Sequence, residues 1–321
     1  RLAGMKNNQE AYNLVFGISI YDIFGFTNMN YRSHDSNPGR VKVSFGGVCR
    51  NIAENMARVG ANTKFISVLG NDEKGKSILE HSKLMNVDMS DSLIVEGAST
   101  PTYVAILDEH GEMVSAIVDI NVDHHITEAF IDSKASVIEG AEYMFFGADN
   151  PEILEYIVKK YEGKTKFVLD PVSAAKAVEV KHLLPYFHTV KPNRHEAAVL
   201  WWFEINTVED VRKAGQYLLS LGVKHVFISL DADGVYYCTA DEEGIVKPNR
   251  VEVINVTGAG DSFIAGVGYA YLNQLSILET VKLAQTMSII TISHEETIHP
   301  EMAVDYVKEK IDAIEWTVTT F

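Results

Sequence analysis

Cysteine, basic residues and long apolar runs are all scarce in this sequence, and each scarcity excludes a class of protein. Two cysteines in 321 residues are too few for a disulfide scaffold and fit a reducing compartment. The 44 acidic residues outnumber the 28 basic ones, and a formal net charge of −16 disfavours nucleic acid and anionic membranes as partners. No apolar run approaches the roughly 20 residues of a membrane-spanning helix, and residues 1–10 contain no signal-peptide core. We therefore expect a cytoplasmic protein that binds neither nucleic acid nor membrane.

The composition and the hydrophobic pattern indicate an ordinary globular α/β protein, with 46% hydrophobic and 22% charged residues. Candidate strands lie at residues 12–18, 63–68, 143–146, 166–169, 187–190 and 225–230. Candidate helices lie at residues 47–60, 72–85, 151–161, 207–220, 260–273, 277–291 and 301–313. Continuous apolar strands flanked by amphipathic helices indicate a parallel sheet covered on both faces. The pattern therefore predicts a single domain over residues 11–313, with residues 1–10 as a tail or an artificial remnant.

Two stretches in the first half of the chain break this alternation of strands and helices. Residues 39–45 alternate charged and apolar side chains, and within 93–118 two alternating runs flank a turn, as in a β-hairpin. The simplest placement is a small sheet that projects from the main one as a lid, formed by segments of about 22–45 and 93–120. The alternative is that these stretches form two edge strands of the main sheet.

The sharpest local signal is the glycine-rich segment INVTGAGD at residues 254–261, which joins a β-type run at 251–256 to a helix. Small residues from Thr257 to Gly260 leave backbone N–H groups unscreened at the helix N-terminus, where the donors and the dipole suit a phosphate. A carboxylate beside a phosphate is repulsive, and a role as the base that accepts a hydroxyl proton would explain Asp261 at this position. The alternative is an ordinary capped helix, which an aspartate in the first turn stabilises by about 0.3–1 kcal/mol.

A second glycine-containing segment, residues 70–77, fits the GxxxxGK[ST] pattern of a P-loop and follows a predicted strand. Three features disfavour a P-loop NTPase. Asp72 and Glu73 would direct negative charge into a phosphate cradle, the following helix is short, and Asp261 would have no role. The alternative is a strand-to-helix turn with Asp72 at the helix N-terminus.

Four segments together resemble the PfkB family of ribokinase-like carbohydrate and nucleoside kinases. They are GGVCRNIAENMARVG at 46–60, VLGNDEKGKSILEHSKLMNVDM at 68–89, VKPNRHEA at 190–197 and INVTGAGDSFIAG at 254–266. The similarity extends over nearly the whole chain, and it implies a three-layer α/β/α sandwich with a mainly parallel central sheet and a small β-sheet lid. In this family the second segment is a structural strand–helix unit, which accounts for the P-loop match.

The resemblance assigns roles at the glycine-rich helix start. Asp261 matches the family's catalytic base, and Gly258, Ala259 and Gly260 match the anion hole for the γ-phosphate of ATP. Thr257, which begins this run of small residues, is expected to contact ATP. The chemistry of residues 254–261, considered without the resemblance, independently predicts the same arrangement of a base beside a phosphate site.

Substrate contacts are implied after the first strand and at the start of the first long helix. Asp22 resembles the family's sugar-binding aspartate, and a carboxylate that accepts two vicinal hydroxyls favours ribose. Gly46 and Gly47 let the backbone approach a sugar closely, and Asn51 offers both a donor and an acceptor. Asn121, near the lid hairpin, is a further candidate for reading a sugar or base edge. The alternatives are a turn-forming aspartate at Asp22 and a strand-to-helix turn that needs positive φ at the glycines.

The resemblance places the nucleotide contacts later in the chain. Asn193 and Glu196 match a Mg²⁺ and phosphate station in which the metal is held through water, and a helix cap with a capping-box partner explains the same pair. Asp233 and Gly234 match a nucleotide-side turn, and a β-hairpin turn explains them equally. Many relatives carry an aspartate beside a monovalent cation where this chain has Asn255, so dependence on K⁺ stays open.

The substrate and the assembly follow from the resemblance alone. Segments 34–51, 170–176, 190–197 and 254–261 resemble most the family members that phosphorylate pseudouridine. This implies its 5′-hydroxyl as the acceptor and ATP with Mg²⁺ as the phosphate source. Ribose, fructose, another sugar or an adenosine-type nucleoside are alternative acceptors. More distant alternatives are the P-loop NTPase and a non-catalytic sugar sensor. In relatives the lid often pairs between subunits, so we expect a homodimer formed through the lid.

Overall fold

The computed structural model describes residues 11–321, and the predicted tail at residues 1–10 lies outside the described residues. The strands are β1 Asn13–Phe16, β2 Ile20–Thr27, β3 Gly39–Gly46, β4 Thr63–Ile66, β5 Val68–Gly70, β6 Val87–Asp88, β7 Leu93–Val95, β8 Thr102–Leu107, β9 Met113–Asp119, β10 Tyr143–Gly147, β11 Lys166–Asp170, β12 Thr189–Val190, β13 His225–Ser229, β14 Val235–Cys238, β15 Glu243–Pro248 and β16 Trp316–Thr320. The helices are α1 Val48–Arg58, α2 Glu73–Leu84, α3 Glu128–Ser133, α4 Ala135–Gly140, α5 Pro151–Lys160, α6 Ala174–Val180, α7 Arg194–Trp201, α8 Val208–Ser220, α9 Ala259–Leu272, α10 Ile277–Ile292 and α11 Val304–Ala313. None of the helices in this described range is both long and apolar enough to span a lipid bilayer.

Ten strands form one large sheet in the order β16-β15-β14-β13-β12-β11-β10-β1-β4-β6. Every neighbouring pair from β13 to β6 is parallel, and the pairs from β13 to β16 are antiparallel. Alternate side chains enter two separate apolar cores, because successive residues of a strand point to opposite faces. Leu14 and Phe146 lie in one core, and Val15 and Phe145 lie in the other. Helices cover both faces, so the predicted three-layer α/β/α fold with a mainly parallel sheet is confirmed.

Helix α9, which carries Asp261, packs closely against both α1 and α10. A Cβ on Gly266 would stand 2.7 Å from the Cα of Ala284 on α10, and a Cβ on Gly268 would stand 2.5 Å from the Cε of Met56 on α1. Side chains larger than hydrogen would push these helices apart, at a cost typical of an overpacked core. The close packing therefore fixes the first turn of α9 relative to the first turn of α1.

A separate small sheet has the strand order β3-β2-β8-β9. Strands β2 and β3 are antiparallel, as are β8 and β9, while β2 and β8 are parallel. The predicted small sheet is therefore confirmed, and the alternative of edge strands in the main sheet is wrong. Strand β7, Leu93–Val95, pairs instead with β5 in a two-stranded sheet. The second segment of the small sheet thus begins at Thr102 rather than near residue 93.

Two regions differ from the predicted elements. Residues 251–256, predicted as a β-type run, form no strand, because the N–H of Ile254 donates to the carbonyl of Ile292 at 2.7 Å, at the end of α10. The segment is therefore hydrogen-bonded to the C-terminal end of α10 and not to a strand. Strand β16 lies beyond the predicted domain end at residue 313 and pairs with β15 over five residues. Its β-branched residues are typical of a strand, and the strand order places it at the edge of the large sheet.

Candidate active site

Asp261 lies in the first turn of α9, at a helix start that is open to an anion. The residue before the helix, Gly258, has a φ of +87°, and a Cβ there would stand 2.6 Å from the carbonyl oxygen of Thr297, so only glycine fits. A Cβ on Gly260 would stand 2.9 Å from Nζ of Lys191. The first backbone N–H groups of a helix have no acceptor within it. Here the N–H of Ala259 donates to the carbonyl of Val256 at 3.3 Å, and Gly260 lies beside Lys191. This geometry is compatible with the predicted anion hole.

Asp261 is deeply buried and accepts a hydrogen bond from Asn51. The residue is 8% exposed, and Nδ2 of Asn51 donates to its Oδ2 at 3.2 Å. Burial, and then the nearby Asp170 carboxylate, raise the pKa of Asp261 to about 7 against the opposing effects of Asn51, Lys191 and Arg50. A carboxylate with a pKa near 7 is divided between its two protonation states at neutral pH, which suits proton transfer.

Two cavities meet at Asp261. The first, of about 860 Å³, lies between the small sheet and the starts of α1 and α9, and we call it the small-sheet cavity. The second, of about 780 Å³, lies at the carboxyl ends of β11, β12 and β13, and we call it the large-sheet cavity. Each is large enough for a small-molecule ligand. Because Asp261 lines both, its carboxylate can face ligands in the two cavities at once.

The four stronger substrate candidates, Asp22, Gly46, Gly47 and Asn51, all line the small-sheet cavity. Burial raises the pKa of Asp22 to about 6, and the opposite charge of Arg50 acts against that rise. A Cβ on Gly46 would stand 2.2 Å from Oδ2 of Asp22, and Gly47 has a φ of +97°. Gly47 therefore has the positive φ that the strand-to-helix turn needs, and the close approach of a sugar to Gly46 and Gly47 stays a prediction.

Asn193 and Glu196 line the large-sheet cavity and also cap α7. The backbone N–H of Glu196 donates to Oδ1 of Asn193 at 2.8 Å, and the N–H of Asn193 donates to Oε1 of Glu196 at 3.0 Å. This is the capping box of the alternative interpretation. Burial raises the pKa of Glu196. Within residues 11–321 no three His, Cys, Asp or Glu side chains are grouped so that they could hold a metal ion.

Asp233 and Gly234 form the tight turn between the antiparallel strands β13 and β14, as the hairpin alternative predicts. Gly234 has a φ of +91°, and a Cβ there would stand 2.3 Å from the carbonyl oxygen of Val246. Gly234 lines the large-sheet cavity together with Asp231. The Asp233 carboxylate pairs with Arg194 at 3.4 Å and is largely exposed. The backbone of this turn, rather than the Asp233 side chain, therefore faces the cavity.

Two predicted site residues do not line the expected cavity. Thr257, a nucleotide candidate, is not among the described residues of the large-sheet cavity, and Asn121, a substrate candidate, is not among those of the small-sheet cavity. Thr257 lines the small-sheet cavity rather than the wall near Asn193, and its N–H donates to Oδ1 of Asn255 at 3.0 Å. Nδ2 of Asn255 donates to the carbonyl of Glu295 at 3.0 Å, so both ends of this amide bind within the protein. Asn121 lines an open depression that shares Ile120 and Asp149 with the small-sheet cavity, and it is not among the described residues that line either cavity itself.

The P-loop-like segment, residues 70–77, is a turn capped by Asp72. The Asp72 carboxylate accepts the N–H of Gly75 at 2.9 Å, the N–H of Thr100 at 3.0 Å and the Thr100 hydroxyl at 2.6 Å. An aspartate therefore occupies the helix start where a P-loop would bind a phosphate. This matches the alternative of a strand-to-helix turn.

Three charged residues at the site, Arg50, Asp170 and Lys191, are absent from the sequence-based candidates. Asp170 ends β11 and Lys191 follows β12, so both lie at the carboxyl edge of the parallel sheet, where such folds bind ligands. That rule, applied to every strand, is the signal that identifies them. Arg50 is 4% exposed on α1, and nothing in its local sequence distinguishes a buried arginine from an exposed one.

Known proteins that resemble this chain are carbohydrate and nucleoside kinases. Residues 10–303 match a family described as pfkB family carbohydrate kinase. The chain is 34% identical to the pseudouridine kinase of Escherichia coli strain K12 over 309 residues, which cover 96% of this chain and 98% of the relative.

Solved structures agree with the family match. A crystal structure from Clostridium perfringens, assigned as a sugar kinase, is 58% identical, has a TM-score of 0.94 and covers 97% of this chain and 98% of that one. The ribokinase of Arabidopsis thaliana, solved with ribose and ATP, shares the fold at 21% identity with a TM-score of 0.82, over 94% of this chain and 98% of that one. This chain belongs to the pfkB family of carbohydrate kinases.

Proposed function

We propose that this kinase transfers the γ-phosphoryl group of ATP to a primary hydroxyl, the 5′-hydroxyl of pseudouridine, with Asp261 as the general base. The observation that carries the proposal is the position of Asp261, which lines both cavities and has a pKa of about 7. A nucleoside in the small-sheet cavity and ATP in the large-sheet cavity would meet at this carboxylate. Positioning and electrostatic stabilisation would then supply most of the rate enhancement.

In the proposed reaction the acceptor hydroxyl gives its proton to the Asp261 carboxylate while its oxygen attacks the γ-phosphorus. The bond between the γ-phosphorus and the bridging oxygen breaks, and ADP leaves with that oxygen. Backbone N–H groups of Gly258, Ala259 and Gly260 hold the γ-phosphate oxygens, because donors fixed at a helix start need no reorganisation during the reaction. Lys191 lies beside Gly260 and adds positive charge where the transferred group carries negative charge.

The large-sheet cavity has the chemistry that ATP and Mg²⁺ require. Asn193 and Glu196 supply side-chain oxygens at its wall, and hard oxygen donors suit Mg²⁺ held partly through water. When bound, Mg²⁺ supplies neutralisation of phosphate charge. Val253, Ile289 and Ile292 line the same cavity and offer an apolar surface to a planar base.

The small-sheet cavity would determine the acceptor. Asp22 can accept hydrogen bonds from two vicinal hydroxyls, as ribose presents them, and Asn51 lies between this sugar site and Asp261. The similarity to a named pseudouridine kinase along 96% of the chain supports pseudouridine as the acceptor. Ribose, fructose and adenosine are the acceptors against which it has to be compared.

The test measures ADP release from Mg-ATP with pseudouridine, uridine, ribose, fructose or adenosine as the acceptor, for the wild type and for Asp261→Asn. Turnover that is highest with pseudouridine and lost in the variant supports both assignments. If another acceptor is preferred and the variant is still inactive, the mechanism stands and the choice of pseudouridine is wrong. An active variant contradicts the assignment of the base.

We also propose that a second copy of the chain covers the outer face of the small sheet. Ile23 lies opposite Val43 and Val104, and Val104 lies opposite Ile117, so these four side chains share one face. Val43, Val104 and Ile117 are 46%, 39% and 72% exposed. Asp22 is on the other face, which faces the active site, because neighbouring residues of a strand point in opposite directions. A contiguous apolar face of this kind is typical of an association surface, and a two-fold dimer would cover both copies of it.

A further inference from the structure

Arg50 is a buried arginine whose hydrogen bonds lead to the proposed base. It lies in the first turn of α1, is 4% exposed and lines the small-sheet cavity. Its Nη2 donates to Oδ1 of Asn51 at 2.9 Å, and Nδ2 of Asn51 donates to Oδ2 of Asp261 at 3.2 Å. Two hydrogen bonds therefore connect the guanidinium to the carboxylate across the interface between α1 and α9.

The arginine determines which end of the Asn51 amide faces Asp261. A guanidinium can only donate hydrogen bonds, so the amide atom that faces Arg50 must be the oxygen, and the NH₂ group is left for Asp261. A donor stabilises an ionised carboxylate, whereas the reversed amide would present its oxygen and stabilise the protonated acid. With Arg50 in place, Asn51 therefore favours the form of Asp261 that can accept a proton.

The charges around Asp261 come from three different elements. Arg50 on α1 and Lys191 after β12 lower the pKa of Asp261, while burial and Asp170 at the end of β11 raise it. The neighbouring Cys49 thiol adds no charge, because burial raises its pKa well above the usual value. Arg50 and Lys191 both oppose the rise in the pKa of Asp261 that burial causes. Arg50 is in addition connected to Asp261 by hydrogen bonds through Asn51.

We propose that Arg50 is a positioning residue for phosphoryl transfer, which orients Asn51 so that Asp261 remains a proton acceptor. Arg50 also acts on Asp22, a half-buried carboxylate of the small-sheet cavity, by opposing the rise in pKa that burial causes there. This inference rests on the proposed role of Asp261 as the base. The role of Arg50 is indirect, because its hydrogen bond is to Asn51 and not to Asp261 itself.

The surroundings of Arg50 allow it to be replaced without leaving a buried charge unpaired. Nη1 of Arg50 donates to Oε1 of Glu54 at 2.9 Å, Nε of Arg58 donates to Oε2 of Glu54 at 2.9 Å, and Nε2 of His81 lies 2.6 Å from Oε1 of Glu54. Burial alone would raise the pKa of Glu54, but the hydrogen bonds from His81, Arg50 and Arg58 hold it well below its usual value. Glu54 keeps two partners when Arg50 is removed, so we expect a neutral variant to fold.

The test follows the acid limb of the kcat/KM pH profile in the wild type and in Arg50→Gln, Arg50→Lys and Arg58→Gln. In Arg50→Gln the midpoint of the limb should move up by about one pH unit, so that the rate at pH 6 falls about tenfold further than in the wild type. Arg50→Lys keeps the positive charge but loses the second donor nitrogen that bonds Asn51. The midpoint of its acid limb should lie between those of the wild type and Arg50→Gln. Arg58→Gln is the matched control, because Arg58 binds the same Glu54 without a bond to Asn51, and its limb should not move.

The outcomes separate this role from a structural one and from the proposed function. A rate that falls by the same factor at every pH in Arg50→Gln, or an acid limb that does not move, overturns the proposal. If Arg50→Gln does not fold, Arg50→Lys decides the question. An acid-limb midpoint at higher pH than in the wild type supports the proposal, and a midpoint equal to that of the wild type overturns it. If Asp261→Asn is inactive while the Arg50 variants leave the limb unmoved, only the role of Arg50 fails. If Asp261→Asn is active, the proposed function itself fails.

Discussion

Replacement of Asp261 by asparagine is expected to stabilise the fold while it abolishes turnover. The stabilisation follows from the burial that raises the pKa of Asp261 from 3.8 to about 7. The loss of turnover follows because the amide of asparagine cannot accept the hydroxyl proton. In the unfolded chain this carboxyl has its ordinary pKa, so at higher pH the folded protein carries a buried charge that the unfolded chain solvates better. Asparagine is neutral at every pH and still offers Asn51 an oxygen acceptor for the hydrogen bond that Asn51 now donates to Oδ2.

The size of the gain follows from the difference in pKa between the folded and unfolded states. A difference of about 3 corresponds to about 4 kcal/mol of unfolding free energy. Because the folded-state pKa of this carboxyl is raised, its full destabilising effect is present at pH values above about 7. The effect disappears as the pH falls from about 7 toward 4, where the carboxyl is protonated in both states. We therefore expect Asp261→Asn to raise the free energy of unfolding by on the order of 2–4 kcal/mol at pH 8 and by about 1 kcal/mol at pH 4.5.

Urea unfolding of the two proteins at pH 8 and pH 4.5 measures this difference. An exposed aspartate on α11, changed as Asp312→Asn, is the matched control and should alter the free energy of unfolding by less than about 0.5 kcal/mol at either pH. A variant that is no more stable than the wild type at pH 8 would refute the burial argument. A gain of equal size at both pH values would also refute it, because a packing effect does not depend on the charge of Asp261.

Three further predictions concern the anion site, the P-loop-like segment and the dimer. Gly260→Ala places a methyl group 2.9 Å from Nζ of Lys191 and should raise KM for ATP and lower kcat by at least about tenfold, with little change in thermal midpoint. Lys76→Ala should leave kcat/KM unchanged, whereas a P-loop enzyme would lose its activity. Ile117→Lys should give a monomer by light scattering, while Leu84→Lys, at a similarly exposed position on α2, should leave the dimer intact; equal behaviour of these two variants would contradict the proposed interface.

Much of the fold is predictable from the sequence because its signals are local. The run of Phe167, Val168 and Leu169 is apolar at successive positions, as expected for a strand buried on both faces, and the structure places these residues in two cores. Asp261 is identifiable for a similar reason. Its carboxylate follows Gly258, Ala259 and Gly260 directly, so the sequence alone marks it as a candidate base, with an ordinary helix cap as the alternative.

The missed features depend on contacts between residues that are distant in the sequence. Val253 and Ile254 look like part of a strand, but the hydrogen bond of Ile254 goes to the end of α10, and local propensity does not indicate that partner. Arg50 and Asp261 are 211 positions apart, and their connection through Asn51 depends on the close packing of α1 and α9, to which Gly268 contributes. Burial of a charged side chain is a property of such packing, so periodicity within α1 could not predict it.

The most direct test of the central claim is the turnover number of Asp261→Asn at pH 8, with ATP and the acceptor both saturating. The claim that Asp261 accepts the hydroxyl proton between the two cavities predicts a kcat lower by about 10²–10⁴-fold, with the folded state and ATP binding retained. A kcat within tenfold of the wild type would contradict the claim and would require a different residue to accept the proton.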